Sequence, residues 1–194
     1  GDTFRPAYYR LGMVRSALLA TKPEGSRIAI AAFTATADPQ TQQTIQRVLR
    51  LQQPEVFRLN PYRPNLSLAA KVVWTPRDRR QQLLKFIQSN GKQAGLVYVR
   101  TRRDSEELAE WLTQKGYQTA AYHAGLGAPE RRSLETAWLT GKLQFVVCTC
   151  AFGMGVNHPT VRWVVHFHAP LLLSEYVQEV GRAGRDGKPA TTLT

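Results

Sequence analysis

At 194 residues, 43% hydrophobic and 21% charged, the chain has an ordinary globular composition and room for one domain or a domain and part of another. Its formal net charge of +12 and pI of about 10.2 make polyanions the default partners, nucleic acid ahead of an anionic membrane surface. No apolar run approaches membrane-spanning length, and the single Cys148-x-Cys150 pair fits a reducing compartment better than a disulfide scaffold.

In chain order, the apolar run 27–33 is bounded by Gly25 and by Thr34-Ala35-Thr36, and predicts a buried strand. Asp38 and Pro39 then open a helix, an acid at the N-cap and proline in the first turn, reaching about Arg50. Pro54, Pro61 and Pro64, with Asn60 and Asn65, mark a linker. This divides the chain into residues 1–60 and 61–194, both with a positive balance.

Beyond the linker the pattern alternates. Segments 69–74, 95–99, 117–122, 143–148 and 163–167 predict strands; 77–90, 104–115, 129–140 and 174–183 predict helices. The sequence stops at Thr194, inside or just after a further strand. Strands alternating with helices of this length imply an α/β fold, a parallel sheet with helices on both faces.

The chemistry concentrates in Gln178-Glu179-Val180-Gly181-Arg182-Ala183-Gly184-Arg185-Asp186-Gly187. Arg182 and Arg185 are expected near a helix end, and on a helix such a pair shares one face, roughly 5–6 Å apart between Cβ atoms. Each follows a glycine, which lets the backbone turn or come close. Two fixed guanidinium groups suit a polyphosphate. The chain has no Gly-x-x-x-x-Gly-Lys-Ser/Thr loop to cradle that phosphate, so the expectation is half of a two-part site. Other candidate phosphate contacts are Thr101 and Arg102 at a helix start, Thr149 at a strand end, and His123, for which a hydrogen-bonded structural role is the competing reading. Cys148, Cys150, His166 and His168 have period-two spacing rather than the spacing of zinc sites, so core cysteines and no bound metal are expected.

Taken in order, the motifs resemble those of the RecQ family of ATP-dependent DNA helicases over essentially the whole chain: Phe4-Arg5-Pro6, Thr34-Ala35-Thr36, Arg63-Pro64-Asn65, Tyr98 to Leu108, Ala121 to Leu126, Ala151 to Asn157, and Gln178 to Gly187. The resemblance implies the end of one RecA-like lobe (1–60) followed by most of a second, the helicase C-terminal lobe (61–194), of P-loop NTPase type. It implies Arg185 as arginine finger beside Arg182. Gln178, Gly153, Gly155 and Asn157 would serve the nucleotide. Phe4, Arg5, Thr101, Arg102, His123 and Thr149 would face single-stranded DNA, and Thr34 and Thr36 would couple the two. It also implies ATP with Mg²⁺, held mainly by Walker A and DEAH motifs that this sequence lacks. The implied partners are single-stranded and forked DNA and the remainder of a longer polypeptide, with no membrane. The implied setting is the cytoplasmic nucleoid in a prokaryote or the nucleus in a eukaryote.

On this reading the intact protein moves 3′ to 5′ and the chain alone does not hydrolyse ATP. The rival expectation is a non-catalytic or degenerate RecA-like module that binds nucleic acid. Four positions depart from the family pattern: Asp2 in place of a loop histidine, Arg100 where asparagine is frequent, and His158 and Thr160 after the Ala151–Asn157 block.

Overall fold

The computed structural model describes residues 6–34, 37–60, 62–150, 152 and 157–194. The candidate positions Asp2, Phe4, Arg5, Thr36, Gly153 and Gly155 lie outside the described residues. Two compact units are present, Gly1–Asn60 and Pro61–Thr194.

Unit 1 contains a 3₁₀ turn at Pro6–Arg10, helix α1 (Leu11–Leu19) and helix α2 (Pro39–Val48). The start of α2 is where the sequence puts it: the Asp38 carboxylate accepts the Thr41 N–H at 2.6 Å, which pulls its pKa below the ordinary value. The expected strand over 27–33 is not formed. The segment runs without ladder bonds and leaves Phe33 94% exposed. A strand is stable only when a neighbour satisfies its N–H and C=O groups, and no described residue of unit 1 offers one.

Unit 2 is a six-stranded, all-parallel sheet of order β1-β6-β5-β2-β4-β3. The strands are β1 (Leu66–Ala69), β2 (Gly95–Tyr98), β3 (Thr119–Tyr122), β4 (Phe145–Cys148), β5 (Trp163–His166) and β6 (Ala190–Leu193). Between them run α3 (Pro76–Ser89), α4 (Arg102–Gln114), α5 (Ala128–Leu139) and α6 (Leu173–Val180).

Alternate side chains of the central strands enter two separate cores. Val97, Phe145, Val147, Trp163 and Val165 pack with Leu83 and Ile87 of α3 and Leu108 and Leu112 of α4. Leu96, Tyr98, Val146, Cys148 and Val164 pack with Trp138 of α5, Phe152 and Ala183. Burial on both faces explains why these strands read as continuous apolar runs. Each fully buried large side chain contributes about 1.5–3 kcal/mol.

Two differences from the expected boundaries bear on the site. The first strand of unit 2 covers 66–69 rather than 69–74, because its ladder ends with β6: Thr194 N–H bonds Ala69 O at 2.9 Å and Lys71 N–H bonds Thr194 O at 2.8 Å. The last helix ends at Val180, not 183. Residues 181–187 form successive turns, with Gly184 at φ +59° and Gly187 at φ +81°. Arg182 and Arg185 therefore stand on this loop rather than on a helix face.

Candidate functional site

The α6–β6 loop is held from several sides. Gly184 N–H bonds Val161 O at 2.9 Å, just ahead of β5. Arg162 pairs with Asp186 at 2.5 Å and also donates to Pro189 O at 3.0 Å. The Arg162 guanidinium holds the Asp186 carboxyl below its ordinary pKa. Asp186, the acid that follows Arg185, is thus already committed.

Arg185 is placed differently. Its Nη1 donates to Asn157 Oδ1 at 2.9 Å and its Nε to Gly181 O at 3.4 Å, both neutral acceptors. Burial and then the positive charges of Arg182 and Arg63 push its pKa below the ordinary arginine value. A guanidinium whose strongest charged influences are two more guanidiniums is the arrangement an incoming anion relieves. The structure brings Arg182, Arg185 and Asn157 into one neighbourhood, with exposed Gln178 on the last turn of α6.

Beneath the loop lies a buried polar group. His166 Nε2 meets Glu179 Oε2 at 2.8 Å, His166 Nδ1 meets Thr194 Oγ1 at 3.3 Å, and Tyr98 stacks on the imidazole at 5.5 Å. Burial raises the Tyr98 pKa well above its ordinary value, with the Arg182 charge opposing that rise. Tyr98 thus remains a neutral phenol beside Arg182.

A second corner gathers Thr101, Arg102, His123 and Gly125. Thr101 is the N-cap of α4: its hydroxyl donates to Asp104 Oδ2 at 2.6 Å and accepts the Asp104 N–H at 3.0 Å. His123 is 4% exposed, with Nε2 2.9 Å from Glu106 Oε1 and Nδ1 accepting the Gly125 N–H at 3.1 Å. Arg102 is exposed, and its guanidinium lies against Gly125, where an added Cβ would be 3.1 Å from Nη1. Thr149 follows β4, buried, with its N–H on Tyr122 O at 3.3 Å. Thr34, exposed, belongs to unit 1.

Of the departures, His158 is buried, Arg100 and Thr160 are exposed, and Asp2 lies outside the described residues. The Arg100 N–H donates to His168 Nδ1 at 3.1 Å. His158 is buried against the Trp138 ring at 4.4 Å, with the Thr160 N–H 3.4 Å from its Nδ1, and burial pulls its pKa down. Cys148 is buried and Cys150 exposed, while His166 and His168 have the separate partners already given. Among the described residues no group of three or more His, Cys, Asp or Glu side chains could hold a metal ion.

Sequence spacing missed two contributors. Arg63 and Asn65 belong to a quoted motif, yet nothing local indicates that their side chains reach residues 183–188. The His166–Glu179 pair also spans two elements, and only the closed sheet brings it together.

With this geometry in view, comparisons with known proteins agree on the class. Residues 78–187 match the helicase conserved C-terminal domain, and the chain belongs to that family. Its sequence is RecQ-like throughout. It is 52% identical over 194 residues to the ATP-dependent DNA helicase RecQ of Synechocystis sp., covering 100% of this chain and 40% of that protein. It is 40% identical over 200 residues to the ATP-dependent DNA helicase Q5 of Rattus norvegicus, covering 98% of this chain and 20% of that one. The chain thus spans well under half the length of these relatives. Among solved structures, S. cerevisiae Dbp5 bound to RNA and ADP BeF3 superposes with a TM-score of 0.73 at 19% identity, over 91% of this chain and 46% of that one. That likeness establishes the RecA-like fold.

Proposed function

We propose that the intact protein is an ATP-driven DNA helicase moving 3′ to 5′ along single-stranded DNA. This chain supplies the arginine finger, the coupling motifs and half of the DNA track. The observation that carries the reading is the α6–β6 loop, where, among the described residues, Arg185 bonds to the neutral oxygens of Gly181 and Asn157 and is acted on by two further guanidiniums.

ATP, held elsewhere in the polypeptide, supplies the phosphoryl group that is transferred to water. Arg185 meets the developing charge on its terminal oxygens, and an arginine finger contributes roughly 10³–10⁵ in rate in related phosphoryl-transfer enzymes. Arg182 adds a second cation, and Asn157 orients the Arg185 fork through its Oδ1. Gln178, Gly153 and Gly155 complete the nucleotide-facing surface. The carboxylates for Mg²⁺ would be those of the DEAH motif, which this sequence lacks.

Arg102 and Thr149 face DNA phosphates, and Phe4 and Arg5, which lie outside the described residues, are assigned to the DNA by resemblance alone. Thr101 and His123 serve that track by fixing the corner that presents Arg102, since their own polar atoms are engaged. Thr34 and Thr36 relay between nucleotide and DNA. Binding to phosphates implies strong salt dependence and little sequence preference.

The test is unwinding of duplexes bearing a 3′ or a 5′ single-stranded tail by the intact protein. ATP-dependent separation of the 3′-tailed substrate is expected. Equal unwinding of both, or DNA binding without unwinding, contradicts the proposal.

A further inference from the structure

Arg63 and Asn65 stand at the start of unit 2, and their side chains converge on the arginine loop. Arg63 Nη2 donates to Gly184 O at 2.5 Å and Ala183 O at 3.3 Å. Asn65 Nδ2 donates to Gly184 O at 2.8 Å and Lys188 O at 2.9 Å, while Arg63 Nε meets Asn65 Oδ1 at 3.4 Å. The Asn65 main-chain oxygen accepts the Ala190 N–H at 2.9 Å, which sets the register of β1 on β6. Pro64, between them, restricts the backbone so that the geometry is preset.

The fit leaves no slack. Gly184 has φ +59°, and a Cβ there would stand 2.5 Å from Asn65 Nδ2 and 2.9 Å from Lys188 O. The Ala183, Gly184 and Lys188 carbonyls are thereby satisfied by two side chains more than a hundred residues earlier in the chain. A purely structural clamp needs hydrogen bonds but gains nothing from a third positive charge, and Arg63 lowers the pKa of Arg185. Its placement is favourable once an anion arrives between the cations.

The covalent path adds a consequence. Unit 1 ends at Asn60, and the chain reaches Arg63 within three residues. The residues gripping Gly184 therefore stand close along the chain to that connection.

We propose that Arg63 and Asn65 are positioning residues that tie the connection between the two units to the arginine loop. They hold Arg182 and Arg185 in reach of phosphate and shift them when the connection moves. This inference rests on the reading of Arg185 given above. It adds a mechanical link between the connection and the catalytic cation, one that does not pass through bound nucleotide or DNA.

The experiment uses the intact protein with Asn65→Asp, which turns a donor into an acceptor facing two carbonyls, and Arg63→Lys, which keeps the charge but loses the fork. Both are expected to lower kcat of single-stranded-DNA-stimulated ATP hydrolysis at least about tenfold, since small misplacements of catalytic groups are costly, with KM for ATP changing less than about threefold. Amide hydrogen exchange should accelerate in 181–188 while β2, β4 and β5 keep their protection. A kcat within about twofold of the parent overturns the proposal. So does exchange that rises equally in sheet and loop, the mark of general destabilisation. A parent protein without DNA-stimulated hydrolysis would instead defeat the functional reading, while the exchange result would still decide whether the two side chains hold the loop.

Discussion

Two basic regions of unit 2 are built on opposite principles. At the Thr101–His123 corner nearly every polar atom has a protein partner: Thr101 and Asp104 cap each other, His123 bridges Glu106 and Gly125, and Arg103 pairs with Glu107 at 2.6 Å. In the α6–β6 loop the backbone is what is satisfied, by Arg63, Asn65 and Arg162, and the cation at its tip bonds to neutral oxygens. The first region spends its polarity on shape. The second spends its scaffold on presenting charge. Counting basic residues does not separate the two, whereas asking what each donor already touches does.

Substitutions can break that contrast, and their expected costs in stability differ in size. Gly184→Ala puts a side chain at positive φ and into Asn65, and should cost about 3 kcal/mol by urea unfolding. A cost near zero would mean that the loop is not gripped. His123→Ala removes the partner of the Gly125 N–H and should cost about 1–2 kcal/mol, with any fall in DNA affinity accompanied by that loss of stability as the corner loosens its hold on Arg102. A fall in affinity without loss of stability would make His123 a contact instead. Thr101→Ala loses an N-cap worth about 1 kcal/mol, read as a lower thermal midpoint, again with any weakening of DNA binding following the lost stability.

The smallest effect depends on pH. The folded pKa of Asp186 lies below its ordinary 3.8, so its contribution is present above that value and is lost as pH falls through the folded pKa. Asp186→Asn should therefore lower the urea midpoint at pH 6 and converge with the parent as the pH drops below 3.8. A difference that persists in acid would show that the Arg162 pair is not its source.

Much of the fold is legible in the sequence because the central strands are buried on both faces. The predicted strand over 95–99 corresponds to Gly95–Tyr98, and 163–167 to Trp163–His166. The start of α2 is equally readable because its cap at Asp38 is local, whereas α4 begins at Arg102 behind its Thr101 cap, two residues ahead of the predicted start. What failed depends on partners distant in sequence. The 27–33 run has strand composition but no described neighbour, and β1 takes its limits from β6. The arginine pair was recognisable as chemistry from its Gly-Arg spacing. Its support was not, because Arg63 and Asn65 reach the loop only through the closed sheet. Arg182 and Arg185 were misplaced onto a helix because the turns at 181–187 depend on glycine φ values that composition permits but does not dictate.

The most direct measurement of the central claim is single-stranded-DNA-stimulated ATP hydrolysis by the intact protein, with Arg185 present and with Arg185→Ala. Exposed and bonded to neutral acceptors, Arg185 carries little of the fold, so unfolding midpoints should match. The account predicts a fall in kcat of about a thousandfold or more, with DNA affinity nearly unchanged. Hydrolysis that survives the substitution within a few-fold would contradict it and leave the loop a basic surface without a catalytic cation.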